Sequence, residues 1–566
     1  MSKKVGAILL DTRSIQKYVF SCNKLKTNVG ASYLVDAIFN DLMQDIVLPG
    51  FNLKMPEEAW QKTEEIQMLN SNEIECEIVY IGGGNMLILI NKYPDNMKDN
   101  LKLCREIVGR WSEEMLKKTP GLKTGAAIGE MDIDDFKNSL DDMYKQLKEN
   151  QNTVLPQVDL PYTGLTLECN ISGKVADIYD RSVEIGESRK ERNRWISKEV
   201  KSKKDAYKLA AKRVKKEYLE EKYNDKYDFV IDLDNIGCKE SESYISVIHI
   251  DGNNMGIKFG NCRTSQERKQ LSLAVANRVK EAFKSLIELI VNEYNNGVYT
   301  NVLDMDKLID DEGRKLLPIR PIIIGGDDIT FVCPGRLGIE YAKRFIEFVS
   351  AKELLSEEQY KHMKKASGKE INRKLSCCGG VAIIPRKYPF FRAYQLAESL
   401  CSSAKSKSRE NDKCYIDFAI LYGEMTPTLE QLKHYQYKGA IGDLHYGPYR
   451  VKEKDENLIL EDKSGIDDLL ALKNKLADKR VSANKVKELR DVLTKDMHSI
   501  MRFLENSSYK AKDEKITISD IVKAETGKKQ VEAKDFWQKK DGETELKTRY
   551  IDAIEIIDFT LPKTEE

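Results

Sequence analysis

The chain of 566 residues is long enough for three or four domains, each with its own hydrophobic core. Its 41% of hydrophobic residues excludes global disorder, and 33% of charged residues indicates extensive solvated helix surface. Lysine plus arginine and aspartate plus glutamate each number 92, so no whole-molecule charge draws the chain to nucleic acid or anionic lipid. The sequence holds no run of 18 apolar residues, and its eleven scattered cysteines predict free thiols in a reducing cytoplasm.

A first pattern of elements begins with an apolar strand over Val5–Leu10 that ends on Asp11. The elements predicted after it are an amphipathic stretch from Ile15 to Leu42, strands at Ile78–Ile81 and Met86–Ile90 around the turn Gly82–Asn85, a helix near residues 95–118 and a strand at Thr124–Ile128. The two strands around the glycine turn predict a hairpin.

A second pattern repeats this order, starting with a strand over Tyr244–Ile250 that runs into Asp251. The elements predicted after it are a long helix through Leu271–Ile290, strands at Ile322–Ile324 and Ile329–Cys333 around Gly325-Gly326-Asp327-Asp328, a further helix, a strand at Gly380–Ile384, a helix from about Phe391 to Lys405 and a strand at Tyr415–Leu421. Asp11 and Gly82 are 71 residues apart, and Asp251 and Gly325 are 74 apart. The agreement predicts two copies of one βα-hairpin-αβ domain.

The predicted domains are residues 1–160, 161–240, 241–422 and 423–566. The segment 161–240 is dense in lysine, arginine and glutamate, as at Ser188–Arg192 and Lys212–Lys216. Two interpretations stay open for it, a solvated helical linker or an RNA-contacting arm. The last segment has leucines and valines spaced by three and four, which predicts a mostly α-helical domain without a chemical motif.

The Gly-Gly-Asp-Asp turn carries the chemistry of the second copy. It places Asp327 and Asp328 at a hairpin tip, while Gly325 and Gly326 let a phosphate approach the backbone closely. Asp251 joins them if its strand pairs with the hairpin. Crowded carboxylates repel one another and are relieved by hard divalent cations, which also bind substrate phosphates. The arrangement predicts nucleotidyl transfer, whereas the alternative is an ordinary type I′ turn, for which Gly and Asp are common residues.

Four stretches of the chain together resemble the large polymerase/cyclase subunit of type III CRISPR effector complexes, a two-palm family related to GGDEF cyclases. They are Asp11–Phe20 with Gly30–Ser32, the glycine turn at 82–84, Asp251–Gly256 with the Gly-Gly-Asp-Asp turn, and Gly379–Lys405. The resemblance implies an α+β fold with two ferredoxin-like palm domains, a linker and a mostly α-helical C-terminal domain.

The resemblance also implies that the second palm is catalytic. Asp251, Asp327 and Asp328 are then the catalytic residues and the ligands of two Mg²⁺ or Mn²⁺ ions, and ATP binds at the turn. The residues predicted to contact the nucleotide are Gly325, Gly326, Asn254 and Lys405. For Asn254 a plain turn residue is the alternative, and for Lys405 an exposed lysine at a helix end. The first palm has Gly84 and Asn85 at the positions of the acidic pair, so it is expected to be non-catalytic.

The chain departs from the family pattern in three places. None of its five histidines is followed by aspartate, so we expect no His-Asp nuclease domain. The zinc finger common between the palms is not expected here, because only Cys169 and Cys238 are present and Ser172 replaces a CxxC partner. Asn253 stands where the family often has Asp, which weakens metal binding only if that side chain is a ligand.

The leading hypothesis is a cyclase or synthetase that converts ATP into cyclic oligonucleotide second messengers in antiviral defence. The resemblance implies that the products are cyclic oligoadenylates or related second messengers. The alternative is a non-catalytic nucleotide-binding scaffold of a type III ribonucleoprotein. ATP, guide or target RNA and other effector subunits are the expected partners, in the cytoplasm and without a membrane. The oligomeric state stays open.

Overall fold

A computed structural model describes residues 3–22, 24–71, 73–153, 164–181, 194–233, 236–239, 243–423, 427–453, 463–507, 516–540 and 544–561. The predicted α+β class is confirmed, with two palm sheets and a helical C-terminal region. The basic run Ser188–Arg192 lies outside the described residues. Among the residues that the structure describes, no helix combines the length and apolar character that a membrane crossing requires.

The first sheet has four antiparallel strands in the order β2-β3-β1-β4. The strands are β1 (Lys4–Arg13), β2 (Cys76–Gly82), β3 (Asn85–Ile90) and β4 (Lys123–Asp132). The helices are α1 (Ile15–Val19), α2 (Leu25–Ala37), α3 (Gln67–Asn70), α4 (Met97–Lys118) and α5 (Phe136–Asn152), and a π-helical stretch over Ile38–Val47 continues α2. The predicted hairpin is confirmed.

Both faces of this sheet are buried, which explains why β1 is a nearly continuous apolar run. Val5, Ala7 and Leu9 face one cluster, and the alternate residues Ile8 and Leu10 face another. The first cluster is closed by α5, whose inner residues recur at helical spacing. They are Phe136, Leu140, Met143 and Leu147. Helix α5 is not among the elements predicted from the sequence.

The connecting segment contains β5 (Ile178–Tyr179), β6 (Trp195–Ile196), α6 (Lys198–Tyr218) and β7 (Tyr227–Phe229). Helix α6 packs on α2 so closely that a Cβ added to Gly30 would lie 1.8 Å from the carbonyl oxygen of Lys203. The Lys203 side chain is fully buried, and its ammonium group donates to the Glu199 carboxylate and to the carbonyl oxygen of Tyr18. A buried ion pair thus lies on the inner face of α6, within a sequence rich in charged residues.

The second sheet repeats the first, with two additional strands at one edge. The strands from this region are β8 (Tyr244–Gly252), β9 (Lys315–Leu317), β10 (Arg320–Gly325), β11 (Asp328–Pro334), β12 (Cys377–Pro385), β13 (Tyr415–Ile420) and β14 (Tyr449–Arg450). The sheet order is β10-β11-β8-β12-β13-β14, and β9 pairs with β7 instead. The helices are α7 (Met255–Gly260), α8 (Ser265–Asn295), α9 (Gly338–Val349), α10 (Glu357–Ser367), α11 (Phe390–Ser408) and α12 (Leu429–Tyr435).

The C-terminal region is mainly helical, as predicted, with one two-stranded sheet. Its elements are α13 (Ile466–Leu476), α14 (Ala483–Leu493), α15 (Met497–Ser507), α16 (Ile518–Thr526), β15 (Gln538–Lys539), β16 (Leu546–Lys547) and α17 (Tyr550–Glu555). His445 links this region to the second sheet, because its ring nitrogens lie 2.7 Å from Asp417 of β13 and 2.7 Å from Asp552 of α17. Burial alone would lower the pKa of His445, but the two carboxylates raise it to about 10. A buried imidazolium therefore joins the two regions.

Candidate active site

The glycine turn between β10 and β11 brings three aspartates to one end of the second sheet. Strand β11 pairs with β8 in an antiparallel register that places Asp328 directly opposite Asp251. The peptide N–H of Gly252 donates to the carbonyl oxygen of Asp327 at 3.2 Å. Side chains of directly opposed residues lie about 5 Å apart, so the carboxylates of Asp251 and Asp328 are neighbours. The predicted pairing of the Asp251 strand with the hairpin is confirmed.

Two carboxyl groups of this cluster, those of Asp327 and Asp328, resist ionisation. Burial, together with the charge of Asp251, raises the pKa of Asp327 to about 6. Burial also raises the pKa of Asp328 well above its ordinary range, and the charges of Asp251 and Asp327 add to that effect. Like charges held this close favour a bound cation that neutralises them.

Lys405, near the C-terminal end of α11, is the cation that contacts this cluster. Its ammonium group donates to Asp251 Oδ2 at 2.5 Å and to the carbonyl oxygen of Gly252 at 2.9 Å. Burial alone would lower the pKa of Lys405, but the Asp251 carboxylate outweighs it and raises the pKa. The structure therefore places Lys405 at the predicted site as a charged residue and not as a solvated helix end.

His249 is a residue of the site that sequence reasoning missed. Its Nδ1 lies 3.4 Å from Asp328 Oδ1 and 3.3 Å from Thr330 Oγ1. Burial lowers the pKa of His249 to about 4, against the opposing charge of Asp251, so the ring is neutral at pH 7. The available signal was its position two residues before Asp251 on the same strand, which puts both side chains on one face of the sheet.

The donor set suits a hard divalent cation, although the side chains are not assembled around one. Carboxylate and carbonyl oxygens are the ligands that Mg²⁺ and Mn²⁺ prefer. Asp328 Oδ1 is buried and makes no hydrogen bond within the described residues. In the same part of the chain, no three His, Cys, Asp or Glu side chains are arranged to hold a metal ion. The chemistry of the residues fits the cation, but Asp251 is engaged by Lys405.

A cavity of about 610 Å³ lies between the two glycine turns. Residues 82–84 of the first palm and 325–328 of the second both line it. A Cβ added to Gly326 would lie 3.2 Å from the backbone nitrogen of Gly83, so the two turns are in near contact. The volume is that of a pocket for a small molecule such as a nucleotide. Asp327 and Asp328 line this cavity, whereas Asp251 and Lys405 do not.

Comparison with known proteins identifies the domain that contains these aspartates. Residues 244–414 match the family model described as Cas10/Cmr2, second palm domain. This segment of the chain is a Cas10/Cmr2 second palm domain. The resemblance drawn from the sequence is thereby confirmed for the second palm.

The solved structures that match this chain include Csm1 proteins. The Csm1-Csm4 cassette in complex with AMPPNP is 15% identical, with a TM-score of 0.40, and the match covers 84% of this chain and 63% of that one. Csm1 in T. onnurineus is 14% identical, with a TM-score of 0.43, over 99% of this chain and 70% of the other. This chain thus spans 63% of the length of the first of these proteins. Among curated proteins, no sequence matches it.

The two asparagines after the Asp251 strand of the Cas10/Cmr2 palm lie outside the cavity. Asn253 is buried, and its amide nitrogen donates to the carbonyl oxygen of Lys413 at 3.2 Å. Asn254 precedes α7 with a φ of 54°, and its carbonyl oxygen accepts hydrogen bonds from Ile257 and Lys258. The geometry of Asn254 is that of the turn residue named as its alternative, and neither asparagine lines the cavity.

The first palm has the same geometry as the Cas10/Cmr2 palm with fewer charges. Asp11 lies opposite Asn85, as Asp251 lies opposite Asp328. The N–H of Thr12 donates to the carbonyl oxygen of Gly84 at 2.9 Å. The amide of Gln151, near the end of α5, donates to Asp11 Oδ2 at 2.6 Å. A neutral amide thus contacts the strand-end aspartate where Lys405 does so in the second palm.

The two cysteines considered for zinc lie in different packing clusters. Cys169 packs with Cys22, Ile196 and Val200. Cys238 belongs to the main core, and its thiol donates to the carbonyl oxygen of Tyr244 at 3.0 Å. The two thiols thus pack among different sets of residues.

An acidic part of the cavity lining was also missed. It comes from α2, the π-helical stretch and α6, and consists of Asp36, Asp41, Asp45 and Glu217 around Arg213. Arg213 lies 2.8 Å from Asp36 and 3.6 Å from Asp41. These residues belong to segments far apart in sequence, so no local motif marked them.

Proposed function

We propose that the chain is a nucleotidyltransferase of the Cas10 type that converts ATP into cyclic oligonucleotide second messengers in CRISPR-type antiviral defence. The observation that carries the proposal is the placement of Asp251 opposite Asp328, beside Asp327, at a glycine turn that lines a nucleotide-sized cavity. Asp251, Asp327 and Asp328 are the proposed catalytic residues. The domain family supports this proposal.

The proposed reaction joins a ribose hydroxyl oxygen to an α-phosphorus, while the bond from that phosphorus to the pyrophosphate leaving group breaks and the hydroxyl proton passes to solvent. Two Mg²⁺ or Mn²⁺ ions held by the three aspartates would supply charge neutralisation at the attacking and leaving oxygens. Gly325 and Gly326 expose backbone to the phosphates without a Cβ in the way. Lys405 provides the positive charge within reach of that end of the sheet.

Cations held by the three aspartates would draw the triphosphate to the glycine turn, which leaves the part of the cavity lined by α2 and α6 for the base. The first palm provides Gly82–Gly84 to the same cavity but no acidic pair, which suits a second nucleotide held without catalysis. Other type III subunits and guide or target RNA are the proposed partners, in the cytoplasm.

The test is product formation from labelled ATP and Mn²⁺, separated by thin-layer chromatography. Wild type is expected to release pyrophosphate and a cyclic product, and the double variant Asp327→Ala, Asp328→Ala neither. A matched control is Asp141→Ala, Asp142→Ala, which removes two adjacent exposed aspartates from α5. Its product yield should equal that of wild type.

Binding measurements separate the enzyme from the alternative scaffold. Equilibrium dialysis with ATP and Mn²⁺ reports binding, and chromatography reports turnover, each with and without a single-stranded RNA oligonucleotide. ATP that binds and stays intact under both conditions would support the scaffold and contradict the proposed synthesis.

A further inference from the structure

The contact between Lys405 and Asp251 uses the oxygens that a divalent cation would use. The ammonium group touches a carboxylate oxygen of Asp251 and the backbone carbonyl oxygen of Gly252. Both are oxygen types that bind hard cations. The side chains of Lys405 and Asp251 are 27% and 35% exposed, so solvent and a metal ion can reach the pair.

The first palm allows a comparison of the residue that donates to the strand-end aspartate. This donor is neutral where one carboxylate is present and charged where three carboxylates meet. Gln151 donates to Asp11 from the matching helix, and the first palm has Gly84 and Asn85 in place of the acidic pair. The amide needs no charge there, because one carboxylate has no like-charged partner in the turn. In the second palm three carboxylates meet, and the donor is a cation. Lys405 thus neutralises carboxylate charge, and its contact with Asp251 is more than the packing of a lysine at a helix end.

We propose that Lys405 and a divalent cation compete for Asp251. In this exchange the cation takes the Asp251 oxygen, and the ammonium group of Lys405 moves to a phosphate of the bound nucleotide. The inference rests on the proposed function for the identity of the cation and the nucleotide. It explains how one lysine contacts the catalytic carboxylates and also serves the triphosphate.

The first arm of the test measures Mn²⁺ alone. Lys405→Met removes the competing charge while keeping a side chain of similar length, so Mn²⁺ should bind about three to ten times more tightly than to wild type. The electron paramagnetic resonance signal of free Mn²⁺ reports this binding without any turnover. Lys407→Met is the control, because Lys407 lies on the same helix and pairs with Glu410 at 3.4 Å. Its Mn²⁺ affinity should match that of wild type.

The second arm adds a non-hydrolysable ATP analogue. Here the substitution of Lys405 should weaken binding, whereas it should strengthen the binding of Mn²⁺ alone. With Mn²⁺ present, Lys405→Met should bind the analogue about tenfold more weakly than wild type, because the phosphate loses its cation. Lys405→Gln copies the donor of the first palm and should show the same two signs with smaller changes. Thermal unfolding in EDTA identifies a variant that fails to fold, and the glutamine variant then provides the test.

Opposite signs in the two arms support competition. Unchanged or weaker binding of Mn²⁺ alone to both Lys405 variants overturns it, since a lysine that only helps to hold the nucleotide leaves Mn²⁺ alone unaffected. The outcome is independent of catalysis. Exchange without any product formation contradicts the proposed function but not the competition, whereas product formation without exchange contradicts only the competition.

Discussion

Asp327 and Asp328 are held in a way that costs stability, because burial and like charges disfavour their ionised forms. The pKa of Asp327 rises to about 6 from these causes. Below about pH 4 this carboxyl is protonated in both the folded and the unfolded chain. As the pH rises through 6, the folded chain must ionise it at a cost that the unfolded chain does not bear. The stability associated with this group is therefore lost between pH 4 and about 6.

Asp327→Asn should remove this pH-dependent cost. At pH 7 in EDTA, the free energy of unfolding should exceed that of wild type by about 1 kcal/mol, a value reduced from the full pKa shift for solvent screening. Near pH 4 the difference should disappear. Urea unfolding at a series of pH values measures it. Because Asp327 is a proposed catalytic residue, the variant is also expected to lose activity. Residues placed for catalysis often reduce stability, so a gain of stability with a loss of activity is the expected combination.

Asp310→Asn is the control of opposite sign. The pKa of Asp310 is lowered, since the hydrogen bond from Arg314 and the nearby backbone N–H groups outweigh desolvation. Ionised Asp310 therefore stabilises the fold, and its asparagine variant should be less stable than wild type at pH 7. A gain of stability in both variants, or in neither, would contradict the electrostatic account of the carboxylate cluster.

At the same scale, part of the site was predictable and part was not. The convergence of Asp251, Asp327 and Asp328 could be predicted because a strand end and a hairpin turn are local patterns, and neighbouring elements usually pair. The contact of Gln151 with Asp11 could not, because it joins residues 140 positions apart through a helix that the pattern search did not detect. Asparagine suits both a turn and a ligand position, so the residue type could not decide the role of Asn254. Its backbone conformation is that of a left-handed turn residue.

Helices α2 and α6 pack more closely than a residue with a Cβ at position 30 would allow. Gly30 lies inside α2, where glycine lowers helix stability, so its presence needs a packing reason. That reason is the backbone of α6, since an added Cβ would meet the carbonyl oxygen of Lys203. Local propensity indicated a helix in each segment but gave no sign that the charged α6 lies against the first palm.

Gly30→Ala should therefore separate α2 from α6 and lower the free energy of unfolding by about 2 to 3 kcal/mol. Gly109→Ala is the matched control, because Gly109 lies inside α4 and an added Cβ there has nothing within 4 Å. This second substitution should stabilise the chain by about 0.5 to 1 kcal/mol through helix propensity. Chemical unfolding of both variants measures the difference. Equal effects of either sign would mean that the close approach does not determine stability.

In the whole molecule, the two palms meet through their glycine turns and enclose one cavity. Residues from both turns line it, and α6 and α2 provide another part of the lining. A duplicated fold thus becomes a single site with one charged turn and one uncharged turn. The repeat itself was visible in the sequence from similar spacings. That the two turns face each other depends on how the palms pack, which local patterns do not encode.

A pair of alanine substitutions tests whether the two turns press against each other. Gly326 and Gly83 have nearly the same backbone, with φ of 61° and 59°, so alanine introduces similar strain at both. Only at Gly326 does an added Cβ meet the other palm, 3.2 Å from the nitrogen of Gly83, whereas at Gly83 nothing lies within 4 Å.

Gly326→Ala should therefore lose about 1 to 3 kcal/mol more stability than Gly83→Ala, since overpacking adds to backbone strain. Thermal unfolding in EDTA without nucleotide isolates this difference from ligand binding. Because both turns line the cavity, pushing the palms apart should also weaken nucleotide binding more in the first variant than in the second. Equal losses in the two variants would show that backbone strain alone acts, and that the palms are held together elsewhere along α2, α6 and α8.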